Sequence, residues 1–236
     1  IVINGLVWMG DFDRMIERID DKVKAGFRCI KLKIGAIDWK KEVEMIEYIR
    51  NRYSPAELMI RVDANGGFSM ENSLPRLKRL ADLGVHSIEQ PIAAGNPEMM
   101  AFLCRVSPLP IALDEELIGK GTTEEKLATL DSIKPAYIIL KPALCGGFSG
   151  GEEWISLAED RGIGWWVTSA LESNVGLDAI AQWTAYLGAK GPQGLGTGGV
   201  FTDNFVTPIS LEADRLKFLH SESLDYSQFA DLKWHL

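Results

Sequence analysis

Eight residues close eight β-rich runs at nearly constant intervals. They are Trp8, Lys33, Asp63, Glu89, Asp114, Lys141, Ser169 and Gly196, separated by 25, 30, 26, 25, 27, 28 and 27 residues. Each interval suits one strand, one helix and two short connections. The runs predict strands at 2–8, 29–34, 58–63, 87–90, 111–114, 137–141 and 165–169, with 193–197 the weakest. Amphipathic stretches lie between them. Those at 12–25 and 39–52 are the clearest, with apolar residues recurring at three and four. Asp11 and Asp38 read as their N-caps, and Gly26 and Gly84 as C-terminal stops. Uniform return lengths over eight strands predict an α/β fold whose parallel sheet closes into a barrel. An open doubly wound sheet would carry a glycine-rich phosphate turn after its first strand, which NGLVWMGDF lacks.

Side chains alternate faces along a strand, so parity assigns each residue to the helix side or the barrel interior. In CIKLKIG, Ile30, Leu32 and Ile34 oppose Lys31 and Lys33. In MIRVDAN, Ile60 and Val62 oppose Arg61 and Asp63, and in YIILKP, Ile138 and Leu140 oppose Ile139 and Lys141. The aliphatic set belongs under the helices, so the charged set points inward. Interior charge is costly unless it is paired or binds a metal.

Three of the strand ends are carboxylates on consecutive strands: Asp63, Glu89 and Asp114. Placed side by side they repel and raise one another's pKa, and a hard divalent cation removes that repulsion. An all-oxygen set favours Mg²⁺, with Mn²⁺ a substitute, over zinc, because no histidine or cysteine ends a strand. Lys31 and Lys33 lie one strand before this set and Lys141 one strand after it. A lysine whose pKa is lowered by burial, a second lysine and a nearby cation can take a proton next to a carboxylate, and the cation favours the resulting dianion. Taken singly these residues are ordinary: Asp63 can turn the chain at DANGG, and Lys141 can precede Pro142. Five of them on five consecutive strands with matching parity point to a site.

Composition bounds the alternatives. The 236 residues are 46% hydrophobic, enough for a sizeable core in one barrel, and the formal net charge of -8 argues against nucleic acid or an anionic membrane surface as partner. A small anionic substrate remains compatible, since lysines and a cation reverse the sign locally. Cys29, Cys104 and Cys145 make neither a disulfide framework nor a CxxC site, so a reducing cytoplasm is expected. No apolar run approaches a membrane span, and the opening IVINGLVWMG is not a signal peptide. It begins on a strand without an initiator Met, as a fragment or trimmed chain would. His86 is expected at a strand start, and His220 and His235 in a solvated tail. One of Trp165 and Trp166 belongs to the core while the other lines the barrel, and the charged run 40–44 reads as a solvated helix face. The glycines of CGGFSGG and GLGTGG suit tight turns about as well as anion cradles.

KLK at 31–33, DAN at 63–65, EQP at 89–91, DE at 114–115 and LKP at 140–142 resemble the enolase superfamily, muconate-cycloisomerase-like subgroup. The resemblance covers 1–207 and implies a TIM-like (β/α)7β barrel, followed by a C-terminal segment, 208–236, packing on the barrel or toward a cap. It implies that Asp63, Glu89 and Asp114 bind Mg²⁺ and that Lys33 and Lys141 face the substrate from opposite sides. It also implies an N-terminal α+β capping domain, expected but absent from this chain. Apolar residues of the last segment, Leu216, Phe218, Leu219 and Phe229, are then expected to lack full cover.

TSALESNVGL at 168–177, GLGTGGVFTDN at 194–204 and NGLVWMG resemble the o-succinylbenzoate synthases of that superfamily. Membership there implies loss of water from 2-succinyl-6-hydroxy-2,4-cyclohexadiene-1-carboxylate. Lys33 would be the base and then the acid, Lys141 an electrostatic partner, and Lys31 an orienting group. Ser169, Gly196, Thr197 and Asn65 would be substrate contacts. N-acylamino acid racemases and dipeptide epimerases share the same ring of charges and stay open as alternatives, as does a non-catalytic barrel.

Overall fold

The computed structural model describes residues 1–219 and 225–229, so His220 and His235 lie outside the described residues. Seven strands form one parallel sheet in chain order: β1 (Gly5–Val7), β2 (Cys29–Lys33), β3 (Met59–Asp63), β4 (Ser87–Glu89), β5 (Ile111–Leu113), β6 (Tyr137–Leu140) and β7 (Gly164–Val167). Each is followed by a helix: α1 (Phe12–Lys24), α2 (Trp39–Arg50), α3 (Met70–Asp82), α4 (Pro97–Val106), α5 (Thr123–Ile133), α6 (Gly147–Glu159) and α7 (Asn174–Tyr186). The expected caps start the first two. Asp11 Oδ1 accepts from the Arg14 amide at 2.9 Å and Asp38 Oδ1 from the Lys40 amide at 3.0 Å. Among the described residues no helix is long and apolar enough to cross a membrane.

Parity divides the interior into two layers. Ile30, Leu32, Ile60, Val62, Ile138 and Leu140 join the large apolar cluster beneath the helices. On the other face Ala112, Ile139 and Trp166 form a separate small cluster inside the barrel, with Tyr137 packed against it. The Arg61 guanidinium stacks 3.9 Å from the Trp166 ring centroid and donates to the Pro192 carbonyl at 2.8 Å, so a cation and an indole plug the barrel floor. Trp165 faces the other way, with its indole N–H donating to Glu159.

The expected eighth strand at 193–197 contracts to a two-residue seam. Gln193 pairs in parallel with Ile3, and Gly194 with Thr168. The Gln193 amide donates to Val2 O at 2.9 Å and the Asn4 amide to Gln193 O at 2.9 Å; across the other side Gly194 N reaches Val167 O at 2.7 Å. Beyond the seam the chain turns into a 3-10 helix, Thr197–Val200, which ends the pairing. Glycine is required at 194 because a Cβ there would fall inside the Thr168 side chain.

A hairpin of β8 (Ile209–Glu212) and β9 (Arg215–Phe218) lies against the first residues, with Arg215 antiparallel to Val2. Ile1 N and Leu216 O are 2.9 Å apart, and Leu216 N to Ile1 O is also 2.9 Å. This pairing covers Leu216, contrary to expectation, while Phe218 stays partly exposed.

The run 40–44 is not a uniformly solvated face. Glu42 is 0% exposed, and its Oε1 accepts from the amides of Gly35, Ala36 and Ile37 at 2.6, 3.2 and 3.4 Å. The turn that leaves β2 aims these amides inward, and Glu42 gives them an acceptor. Burial pushes its carboxyl above the ordinary range against the pull of those amides.

The seam predicts that Gly194→Ala separates β7 from the closing segment. Urea unfolding should show a loss of about 1–3 kcal/mol, the usual cost of overpacking, and an unchanged midpoint would show that the seam tolerates a side chain.

Candidate active site and metal centre

The three predicted carboxylates arrive from adjacent strand tips. Asp63 ends β3, Glu89 ends β4, and Asp114 follows the last paired residue of β5, where the chain bends into a 3-10 turn, Glu115–Leu117. Each offers an oxygen within 4.8 Å of the others. Their exposures are 0, 0 and 2%. Burying three carboxylates together demands compensating charge, and three lysines bring it. Lys31 Nζ lies 2.5 Å from Glu89 Oε2 and 3.0 Å from Asp63 Oδ2. Lys33 Nζ lies 2.6 Å from Asp63 Oδ2. Lys141 Nζ lies 2.6 Å from Asp114 Oδ2.

Glu89 Oε1 is buried without a hydrogen-bond partner. A buried carboxylate oxygen with no donor, inside a cluster of three hard oxygen ligands, fits a divalent cation.

The local field divides the triad. Burial acts to raise Asp63, but Lys31 and Lys33 outweigh it and hold the carboxyl well below the ordinary range. Burial pushes Glu89 up to about 8, with Asp63 and Asp114 adding to the rise and Lys31 opposing it. Burial also raises Asp114 against the pull of Lys141. Burial alone would lower Lys31, yet Glu89 and Asp63 keep its ammonium above the usual lysine range.

Asp63 of the triad opens onto a cavity of about 240 Å³ whose walls include Lys31, Lys33, Lys141, Ser169, Gly196 and Thr197. The three lysines and three of the four expected substrate contacts therefore meet in one space. Ser169 Oγ and Thr197 Oγ1 are buried and 2.5 Å apart. Asn65, the fourth, is exposed and braces Lys33. Its Oδ1 accepts from Lys33 Nζ at 2.7 Å, and its Nδ2 donates to Glu115 Oε1 at 2.7 Å. Because a carboxylate only accepts, Glu115 fixes which end of the amide faces the lysine. Cys145 is buried, and burial pushes its thiol up to about 11, so it is not an activated nucleophile.

Some wall residues escaped the sequence reading. Asn4 and Leu6 line the cavity from β1 and its flank, beside Trp8, which the ring of strand ends had named without a role. Their period-two spacing was the available signal. Glu115 stood in the DE pair without a role, because only its contact with Asn65 gives it one.

Comparison with known proteins places this geometry. A family model described as enolase C-terminal domain-like matches residues 14–213. The chain is 55% identical over 216 residues to the o-succinylbenzoate synthase of Desulfotalea psychrophila, covering 92% of this chain and 58% of that protein. The crystal structure of MenC from the same organism superposes with a TM-score of 0.85 at 53% identity, covering 92% of this chain and 60% of that one. An N-succinylamino acid racemase of Thermus thermophilus is 35% identical over 163 residues, 69% of this chain and 41% of that protein. The chain thus spans less than two thirds of these relatives.

A cation can bind all three carboxylates only when Glu89 is ionised. Burial raises the Glu89 carboxyl, so a proton competes for that site, and affinity for a divalent cation should strengthen as pH rises, with proton release on binding. Calorimetry in buffers of different ionisation enthalpy measures both effects. A pH-independent affinity without proton release would contradict the assignment.

Proposed function

Because the chain belongs to the enolase C-terminal domain-like family, we propose that it forms the catalytic barrel of an o-succinylbenzoate synthase. The reaction is the syn loss of water from 2-succinyl-6-hydroxy-2,4-cyclohexadiene-1-carboxylate, giving 2-succinylbenzoate for menaquinone biosynthesis. The observation that carries this reading is the pair Lys33 and Lys141, which line one cavity and each pair with a member of the buried carboxylate triad. In a closed ring of eight positions their strands, β2 and β6, stand opposite each other. The 55% identity across the barrel supports this chemistry over others of the family.

Asp63, Glu89 and Asp114 would hold Mg²⁺, with Mn²⁺ as substitute. When bound, the cation supplies positive charge and Lewis acidity for the substrate carboxylate. Lys33 Nζ, once it has given up its proton and its ion pair with Asp63, takes the proton alpha to that carboxylate. The electron pair passes into the carboxylate as an enediolate and then expels the neighbouring hydroxyl. Lys33 returns the proton to the departing hydroxide, so one group serves as base and acid on one face, and the elimination is syn. Lys141 stays charged on the opposite side and favours the anionic intermediate. Lys31, held between Glu89 and Asp63, orients the carboxylate. Ser169, Gly196 and Thr197 contact the substrate from the cavity wall, and Asn65 acts at its edge.

The substrate is therefore a small dicarboxylate, with neither nucleic acid nor membrane as partner. We place the reaction in the cytoplasm, which the three free cysteines support.

A second reading, racemisation of an N-succinylamino acid, is favoured by the 35% identical racemase and by the opposed lysines, which can relay a proton between two faces of an α-carbon.

A spectrophotometric dehydration assay with Mg²⁺ tests the proposal. Turnover should vanish with EDTA and fall ~10²–10⁴-fold in Lys33→Ala, the usual worth of a general base. Near-normal activity in a folded Lys33→Ala would remove Lys33 from the mechanism. Exchange of the α-proton of an N-succinylamino acid with solvent, with inversion and no dehydration, would select the racemase. If the chain turns over neither substrate, fusion to the upstream region of the Desulfotalea psychrophila enzyme separates a need for that region from a different substrate.

A further inference from the structure

Gln90, between Glu89 and Pro91, is 0% exposed and holds a left-handed backbone at φ 36°. A glutamine is kept there only where its surroundings over-determine it. Those surroundings are the tips of the three strands that carry the carboxylates. The Gln90 carbonyl accepts from the Gly66 amide at 2.7 Å, in the turn that follows Asp63. Its own amide donates to Ala112 O on β5 at 3.0 Å. The side-chain Oε1 accepts from the amides of Asp114 at 3.2 Å and Glu116 at 3.4 Å. The side-chain Nε2 donates to Ile92 O at 3.0 Å and to Glu116 Oε2 at 3.4 Å.

We propose that Gln90 is a positioning residue of the metal centre, clamping the three tips so that Asp63, Glu89 and Asp114 converge without itself touching cation or substrate. The inference rests on the triad being a divalent-cation site. The chemistry of the side chain is specific. The turn after β5 presents two amides that need an acceptor, and the turn after β4 presents a carbonyl that needs a donor. A planar primary amide of this length offers both at once. Methionine has the length but neither function. Asparagine has the functions but falls one methylene short. Asp114 gains most from the clamp, because its backbone at φ -125°, ψ -81° leaves the strand at the point where Oε1 takes its amide.

The test uses the full chain as wild type, Gln90→Met and Gln90→Asn. Each is titrated with Mg²⁺ by calorimetry and loaded with Mn²⁺ for electron paramagnetic resonance, and its fold is checked by circular dichroism and thermal unfolding in EDTA. Both variants should fold and bind Mg²⁺ ~10–100-fold more weakly, the usual effect of losing a residue that orients metal ligands. Their bound Mn²⁺ should give an altered spectrum, which simple loss of stability would not produce in the folded fraction. If either folded variant binds with wild-type affinity and an unchanged spectrum, the positioning role is wrong. If neither variant folds, Gln90 is a folding residue and the role is equally overturned. If the wild type binds no divalent cation, the triad reading itself fails, an outcome distinct from the others.

Discussion

Three carboxylates on neighbouring strand tips, shut away from water, are the condition around which this barrel is arranged. Carboxylates this close cannot all stay ionised without positive charge among them. Lys31, Lys33 and Lys141 supply it, each within 3.0 Å of a triad oxygen. The lysines therefore have two tasks. They make the buried acids tolerable, and they place ammonium groups around the cavity. Breaking one such pair strands an uncompensated charge, which is costlier than never having buried it.

The outer shell follows from the same condition. Lys33 could swing if Asp63 were its sole partner, but Asn65 holds it from the side and Glu115 holds Asn65. The turn that leaves β2 just after Lys33 is fastened in turn by Glu42. Chemical precision at a strand tip thus depends on residues in the loops and helices behind it, where no charge pattern advertises them.

The sequence was legible where periodicity carries the meaning. Alternation placed Ile30 and Leu32 outward and Lys31 and Lys33 inward, and the spacing of the tips implied the ring before any coordinate. It was illegible where a residue's role comes from a contact far along the chain. Period two could not choose between Trp165 and Trp166, because the choice is made by Arg61 stacking on the latter. Glu42 looked solvated since the amides it satisfies belong to a different element. The eighth strand looked five residues long because nothing local announces that the chain turns into a 3-10 helix after the seam. Gln90 sat in a quoted motif, yet its left-handed backbone is invisible in one letter.

The seam where the barrel closes joins residues far apart in the chain, with Gln193 paired to Ile3. Contacts of that span pay the largest loop-closure entropy and form late, whereas the ladder through β3, β4 and β5 pairs near neighbours in sequence. The two halves of the cavity accordingly differ in the loop-closure cost of the contacts that build them. The acid triad rests on pairing between neighbouring strands. The opposite wall, with Asn4 and Gly194, exists only once the ring has closed. The carboxylate cluster thus rests on short-range strand pairing, and the cavity beside it on the long-range seam.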